Sequence, residues 1–319
     1  MRAVEVTRHG GPEVLAVREV LDPVPADGQV VVEVAAVDVL FVDTRIRLGW
    51  GKEWFQVEPP YVPGNGVAGR VREVGGGVDE SWLDRRVLAY TGENGGMTPT
   101  GGYAERAVVR LSDVVPVPDR LGLPEALTLL HDGPTVVGIL ETADVRPDER
   151  VLITGAGGSL GTLLIPMLKA RGAVVVGAAK GPRKLDFVRE WGADEAVDYA
   201  QPDWPTRVGG VDVVLDGTGG DIGTTAYRLV NPGGRFLAYG SSAGDFATTE
   251  PARSGVRAVS ILDIGKGVDR SAAVTDMLAA AVDGTITPLV GQTFPLDKAV
   301  AAHEAIEARQ TVGKTLLIP

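Results

Sequence analysis

The chain changes rhythm twice. Up to about residue 110, apolar and polar positions follow a period near two. The run at 29–37 is mostly Val and Ala, 66–74 alternates small or apolar with polar residues, and 86–90 follows. These segments read as strands. Breakers lie between them: Pro23, Pro25, Pro59, Pro60, Pro63, Gly64 and the glycines at 75–77. Many short strands separated in this way predict a barrel or a sandwich. Residues 91–102 are glycine-rich and read as a loop.

Beyond Leu121 the period lengthens. Residues 124–130 and 135–142 have a helical pattern. Strand and helix then alternate: strands at 151–154, 174–177, 196–199 and 211–215, helices at 162–171 and 183–191. The strands are short and mostly apolar, as in a parallel sheet covered on both faces. Repeated units of this size predict an α/β doubly wound sheet. The tail adds a helix at 272–282, a strand at 292–294, a helix at 297–308 and a strand at 314–318.

Charge and composition remove whole classes. With 31 Lys and Arg against 42 Asp and Glu, the net charge is −11, which disfavours phosphate backbones and anionic membranes as partners. No apolar run approaches the roughly 18 residues of a membrane span. The first residues alternate and include Glu5, unlike a signal peptide, so a cytoplasmic location is expected. The 319 residues include no cysteine, which excludes disulfides, thiolate catalysis and a sulfur-ligated zinc. Of the three histidines, His9, His131 and His303, none falls in an HExxH-type spacing, and no metal is expected.

The strongest local signal is a glycine turn at residues 155, 157, 158 and 161, placed after one expected strand and opening an expected helix. A dinucleotide site needs a tight turn there, a backbone without Cβ beside the pyrophosphate, and close helix–strand packing. Position 160 is Leu, so the strict GxGxxG spacing is not met, and a plain glycine turn remains the alternative. An NAD site usually places an acid about 20 residues further on. Here residues 176–184 hold no acid and three cations, Lys180, Arg183 and Lys184. Cations at a helix start oppose its dipole, so a 2′-phosphate, and hence NADPH, is favoured over a merely solvated helix end.

With these residues in view, the chain resembles the medium-chain dehydrogenase/reductase superfamily, in its zinc-free quinone oxidoreductase branch. The resemblance spans nearly the whole length. It rests on Asp43-Thr44, Pro63-Gly-Asn-Gly-Val-Ala-Gly69, Gly101-Gly-Tyr-Ala-Glu105 and the 155–161 turn. It continues through Trp191-Gly-Ala-Asp194, Tyr199, Pro232-Gly-Gly-Arg-Phe236 and Gly313-Lys-Thr-Leu-Leu-Ile-Pro319. It implies a GroES-like β-barrel catalytic domain and a doubly wound Rossmann domain: 1–121, then 122–265 for NADPH, then 266–319 returning to the first. Where the zinc branch has Gly-His-Glu, this chain reads Gly64-Asn65-Gly66.

Carried over, the resemblance places Gly158, Ser159 and Leu160 at the pyrophosphate, and Lys184 and Tyr199 at the 2′-phosphate. Gly240, Ser241 and Ser242 fall near the nicotinamide half, Thr135 at the nicotinamide or its ribose, and Arg309 near the cofactor. Lys180, Gly181, Thr218 and Tyr239 complete the expected cofactor set. For each polar residue a cap or surface contact is the alternative. The chain also departs from the family. Leu40 stands where an Asn often faces the nicotinamide, Arg45 where a Tyr is common, and the turn after the fourth Rossmann strand reads Asp216-Gly-Thr-Gly219. Leu40 and Trp54 are expected to line the substrate pocket, although residues 50–55 can equally pack on themselves.

Hydride transfer asks the protein for orientation and electrostatics more than for acid–base machinery. The expected reaction is NADPH-dependent reduction of a small quinone or α,β-unsaturated ketone. Asp43, Arg45 and Thr135 are the candidates for polarising the carbonyl or relaying a proton. His131 joins them, with a packed helix-end histidine as its competing reading. An enoyl or tailoring reductase of a larger, polyketide-like intermediate is the alternative enzyme, and a non-catalytic NADPH-binding sensor or structural protein the alternative of another class. The apolar run at 256–262 reads as an edge strand suited to a homodimer.

Overall fold

The computed structural model describes residues 1–92, 98–249, 252 and 255–319, so positions 93–97 of the loop expected at 91–102 lie outside the described residues. The chain divides into two compact units, Met1–His131 with Val274–Pro319, and Asp132–Ala273.

The first unit opens with an antiparallel pair, β1 (Arg2–Val6) and β2 (Leu15–Glu19). Then come β3 (Gln29–Val39), α1 (Phe41–Arg47), β4 (Gly66–Val74), β5 (Arg86–Tyr90), β6 (Arg106–Arg110) and β7 (Val114–Pro116). Strand β3 is the hub, pairing antiparallel with β4 and β6. Its Val30, Val31, Val32 and Val37 are all fully buried, while Glu33 and Ala35 between them are exposed.

Helix α2 (Leu123–Ala143) follows, with Pro134 in its interior. The sequence pattern predicts two helical pieces here; the structure has one. Proline removes the N–H that would bond the carbonyl four residues back, at Leu130. That carbonyl instead accepts the Tyr90 hydroxyl at 2.6 Å, a donor supplied from β5. The buried acceptor is satisfied and the helix runs on.

The second unit carries β8 (Arg150–Thr154), α3 (Ser159–Ala170), β9 (Val174–Ala179), α4 (Pro182–Glu190) and β10 (Glu195–Asp198). It continues with α5 (Trp204–Val208), β11 (Val211–Asp216), α6 (Gly220–Arg228), β12 (Val230–Ala238) and β13 (Arg257–Ser260). All six strands are parallel, in the order β10-β9-β8-β11-β12-β13. This is the doubly wound order, reversing between β8 and β11. Leu152, Val176, Val214 and Phe236 are fully buried at its core. The expected edge strand is β13, which pairs with β12.

After α7 (Arg270–Val282) the chain forms β14 (Val290–Pro295), α8 (Ala299–Glu307) and β15 (Lys314–Ile318). Strand β15 lies between β14 and β3, completing a seven-stranded sheet: six strands run in the order β14-β15-β3-β4-β5-β7, and β6 pairs with β3 off that path. Among the described residues no helix is long and apolar enough to cross a membrane.

The α2 bond makes a paired test. Tyr90→Phe leaves the Leu130 carbonyl buried without its donor and lowers stability in urea unfolding by about 1–3 kcal/mol. Adding Pro134→Ala restores the missing N–H, so the double variant recovers part of that loss.

Candidate active site

The second unit builds a cradle where its strand order reverses. Strand β8 ends at Thr154, Gly155 turns the chain at φ +70°, and α3 begins at Ser159. A Cβ on Gly161 would lie 2.1 Å from the Ala156 carbonyl oxygen, so only glycine lets the helix come this close. Gly158, Ser159 and Leu160 are half-buried at the head of α3, where first-turn amides lack intrahelical acceptors and favour an anion.

Asp216, at the end of β11, fixes the opposite side. Its Oδ1 accepts the Thr154 hydroxyl at 2.5 Å and the amides of Thr218 and Gly219 at 3.1 Å each. Burial raises its pKa against those hydrogen bonds. The Asp216 carbonyl accepts the amides of Tyr239 and Gly240. The Thr218 hydroxyl is fully buried without a partner and faces Gly155, 3.3 Å from where a Cβ would stand. Burial also raises the Tyr239 pKa, and Ser241 and Ser242 follow on the half-buried turn after β12.

The cations sit at the ends of β9 and β10. The Lys184 stem lies across Gly157, its carbons 3.4–3.5 Å from a Cβ placed there. Gly181 starts α4 at φ +84°, with its amide on Asp198 Oδ2 at 3.3 Å. The Tyr199 amide bonds the Ala179 carbonyl, which holds Tyr199 beside the end of β9. Lys180 and Arg183 are exposed, while Lys184 and Tyr199 are half-buried.

The first unit holds a polar cluster that the sequence pattern does not reveal. Asp38, fully buried in β3, accepts His131 Nδ1 at 2.8 Å and Lys314 Nζ at 3.2 Å on one oxygen, Oδ2. Burial pushes the Asp38 pKa up, but the charges of His131 and Lys314 outweigh it and hold the carboxyl below its ordinary range. Gly66 makes the room: a Cβ there would stand 2.7 Å from both Asp38 Oδ1 and His131 Cε1.

Beside this lies a chain of groups, also interior. Arg47, fully buried, pairs with Glu307 and donates to His303 Nδ1 at 2.9 Å. A guanidinium can only donate, so the ring proton sits on Nε2, 3.0 Å from the Tyr103 hydroxyl. Tyr103 in turn donates to Asp43 Oδ2 at 3.4 Å. Burial, with Arg47 beside it, lowers the His303 pKa to about 3. Burial raises Asp43 to about 7 against the Leu40 amide bond, and neighbouring Asp38 adds to the rise.

Among the expected catalytic residues, Asp43 is only 1% exposed; its Oδ2 takes the Leu40 amide at 2.8 Å and so caps α1. Arg45 lies over the Trp50 ring, 5.8 Å from its centroid. Trp50 packs against Trp54 at 5.5 Å and Phe55 at 6.1 Å, leaving Trp54 63% exposed, so residues 50–55 do pack on one another. Leu40 precedes α1 and is half-buried, as is Thr135 within α2. Arg309 follows α8 at φ +56°, a left-handed conformation that costs a non-glycine residue about 1 kcal/mol or more. Asp38, Arg47, Tyr103, His303 and Lys314 were not anticipated. The one available signal was a charged residue, Asp38, inside an apolar strand.

Known proteins agree with this architecture. Residues 26–119 match the alcohol dehydrogenase GroES-like domain, and 191–317 match the zinc-binding dehydrogenase family. A Burkholderia 2-haloacrylate reductase is 30% identical, covering 99% of this chain and 98% of its own. A Mus musculus quinone oxidoreductase is 29% identical, over 100% and 98%. Escherichia coli quinone oxidoreductase complexed with NADPH superposes with a TM-score of 0.86 at 26% identity, over 100% of both chains. A mycobacterial protein complexed with NADPH gives 0.88 at 28%, again over 100% of both. The chain belongs to the quinone oxidoreductase-like branch of the medium-chain dehydrogenase/reductase superfamily. Among the described residues no group of three or more His, Cys, Asp or Glu could hold a metal ion.

Asp43 and His303 should leave opposite marks on stability. Asp43 stands at about 7 folded against an ordinary 3.8, so its contribution is full below about pH 4 and is lost as pH rises to about 7. His303 stands at about 3 against 6.5, so its contribution is present above about pH 6.5 and is lost as pH falls. In urea unfolding, the stability of wild type minus Asp43→Asn falls between pH 4.5 and 7. Wild type minus His303→Gln rises over the same range up to about 6.5. Each slope is limited to about 1.4 kcal/mol per pH unit.

Proposed function

We propose that this protein is an NADPH-dependent reductase of small quinones or of alkenes conjugated to a carbonyl, working without a metal. The observation that carries the reading is the Lys184 stem lying across Gly157, at the glycine turn that opens α3. A cation sits where an NAD site would place an acid. The cradle suits the cofactor: amides at the head of α3 for the pyrophosphate, and a buried unpartnered Thr218 hydroxyl facing Gly155. When bound, reduced nicotinamide supplies the hydride.

The chain's own residues bind and orient. Gly158, Ser159 and Leu160 take the pyrophosphate. Lys180, Gly181, Lys184 and Tyr199 take the adenosine 2′-phosphate. Thr218, Tyr239, Gly240, Ser241 and Ser242 frame the nicotinamide half, with Thr135 and Arg309 as further contacts. Asp43 acts by capping α1, and Arg45 by holding Trp50, so neither needs to touch the acceptor. The absence of cysteine in the sequence supports chemistry without zinc. A relative that reduces 2-haloacrylate supports an activated alkene as well as a quinone. Leu40 and Trp54 give the acceptor apolar surroundings. A homodimer pairing through the open edge of β13 belongs to the same reading.

Lys184→Ala weakens NADPH binding about 10- to 100-fold, the loss of one charge-assisted hydrogen bond, and changes NADH binding less than about threefold. Nucleotide fluorescence titration measures both. Steady-state NADPH oxidation with quinones, enones and 2-haloacrylates checks the reaction, and no turnover with any of them overturns it. Light scattering at twice the chain's mass checks the dimer.

A further inference from the structure

We propose that Asp198, at the end of β10, is the positioning residue of the 2′-phosphate pocket: its two carboxylate oxygens bridge the start of α4 to the turn that carries Tyr199. The inference rests on the NADPH reading above and deepens it, adding to the residues that would touch the phosphate one that sets where they stand. Every group it uses belongs to the second unit.

The pocket draws its side chains from two places. Lys184 lies in the first turn of α4, and Tyr199 follows β10. Strands β9 and β10 pair in parallel with Asp198 opposite Ala179, which brings the end of β10 beside the residues that lead into α4. The Tyr199 amide continues this pairing on the Ala179 carbonyl at 3.2 Å. Beyond it the two segments part, one into the helix and the other into a turn.

Asp198 spans that gap. Its Oδ1 accepts the Ala200 amide at 2.9 Å, and the Gln201 amide donates to the Asp198 carbonyl at 3.1 Å, so the turn around Tyr199 is closed twice. Its Oδ2 accepts the Gly181 amide at 3.3 Å, 17 residues away along the chain. A residue that only shaped its own turn would need the first bond and not the last.

The start of α4 is built to use such an acceptor. Gly181 heads it with no side-chain cap, and Pro182 at the next position has no N–H. Arg183 and Lys184 follow with no acid in the first turn, and cations there oppose the helix dipole. Gly181 stands at φ +84° and ψ +159°, a corner essentially restricted to glycine, although a Cβ there would meet nothing within 4 Å. Glycine therefore serves the path of the backbone and not the space around it. Asp198 supplies from the next strand the negative charge and the acceptor that the helix's own residues omit. Both oxygens are engaged by main-chain amides, which offsets the repulsion a carboxylate would exert on a nearby phosphate. The Tyr199 ring is fixed against the apolar core of the sheet, and the Lys184 stem lies across Gly157. Asp198 ties these two supports together.

Isothermal titration of the whole chain with adenosine 2′,5′-bisphosphate and with adenosine 5′-monophosphate reads the 2′-phosphate alone, without turnover. Wild type favours the bisphosphate. In Asp198→Ala the bisphosphate affinity falls about 5- to 30-fold, the scale of one lost hydrogen bond to a charged group, while monophosphate affinity changes less than about twofold. Asp198→Asn offers one acceptor oxygen to two amides and falls between wild type and alanine; it decides the question if the alanine variant does not fold. In a Lys184→Ala background, Asp198→Ala costs the bisphosphate less than about threefold, since residues that act through one another are not additive.

Equal weakening of both nucleotides marks a general role in the fold and overturns the proposal. Tighter bisphosphate binding marks simple repulsion by the carboxylate and overturns it too. Wild-type selectivity retained in both variants overturns the proposal alone, whereas wild-type protein that binds the two nucleotides equally overturns it together with the NADPH reading.

Discussion

The first unit is assembled from two separated stretches of chain, and a buried ion pair is the lock between them. Lys314, on the last strand, reaches Asp38 on β3 with 3.2 Å between Nζ and Oδ2, and neither is more than 2% exposed. Such a pair need not add net stability over apolar packing. What it adds is register. Strand β15 meets β3 with Leu316 opposite Asp38. A slip by one residue would turn Lys314 to the other face and leave both charges buried alone, a cost of several kcal/mol. His131 then brings the middle of α2 onto the same oxygen, so one carboxylate organises a strand from each stretch and a helix.

The second unit solves an analogous problem with neutral donors. Asp216 collects the Thr154 hydroxyl and the amides of Thr218 and Gly219 at the reversal of strand order. These bonds hold the β8 and β11 ends together and fix the turn into α6. With Gly155 and Gly161 shaping the other side, these bonds build the cradle, and the first-turn amides of α3 favour an anion there.

The second unit was largely legible in the sequence because its signals are local. Strand–helix alternation, a glycine turn and a run of cations each lie within a few tens of residues. The polar cluster of the first unit was not legible, because positions 38, 131 and 314 meet only through the sheet. The strand expected at 29–37 stopped one residue short of Asp38, which the structure places within β3. Helix α2 shows the same limit: Pro134 argues for a break, and the donor that repairs it comes from Tyr90, which no helical periodicity points to. Asp43 was legible as a motif and not as a role, since its burial follows from the packing around Tyr103 and α1.

A net charge of −11 would at first sight repel a polyanionic cofactor. Distance decides otherwise. At physiological ionic strength the screening length is about 8 Å, so carboxylates scattered over the surface contribute little at any one point. A cation in direct contact with the turn is screened far less. Lys184 has that position because its stem is packed against Gly157, where a Cβ would lie at ordinary van der Waals distance from three of its carbons. The same overall charge weakens any extended contact with a nucleic acid, which depends on many phosphates at once. The lysine stem packed against the glycine turn therefore gives this acidic chain a basic point at that turn, and it does so through packing and not through net charge.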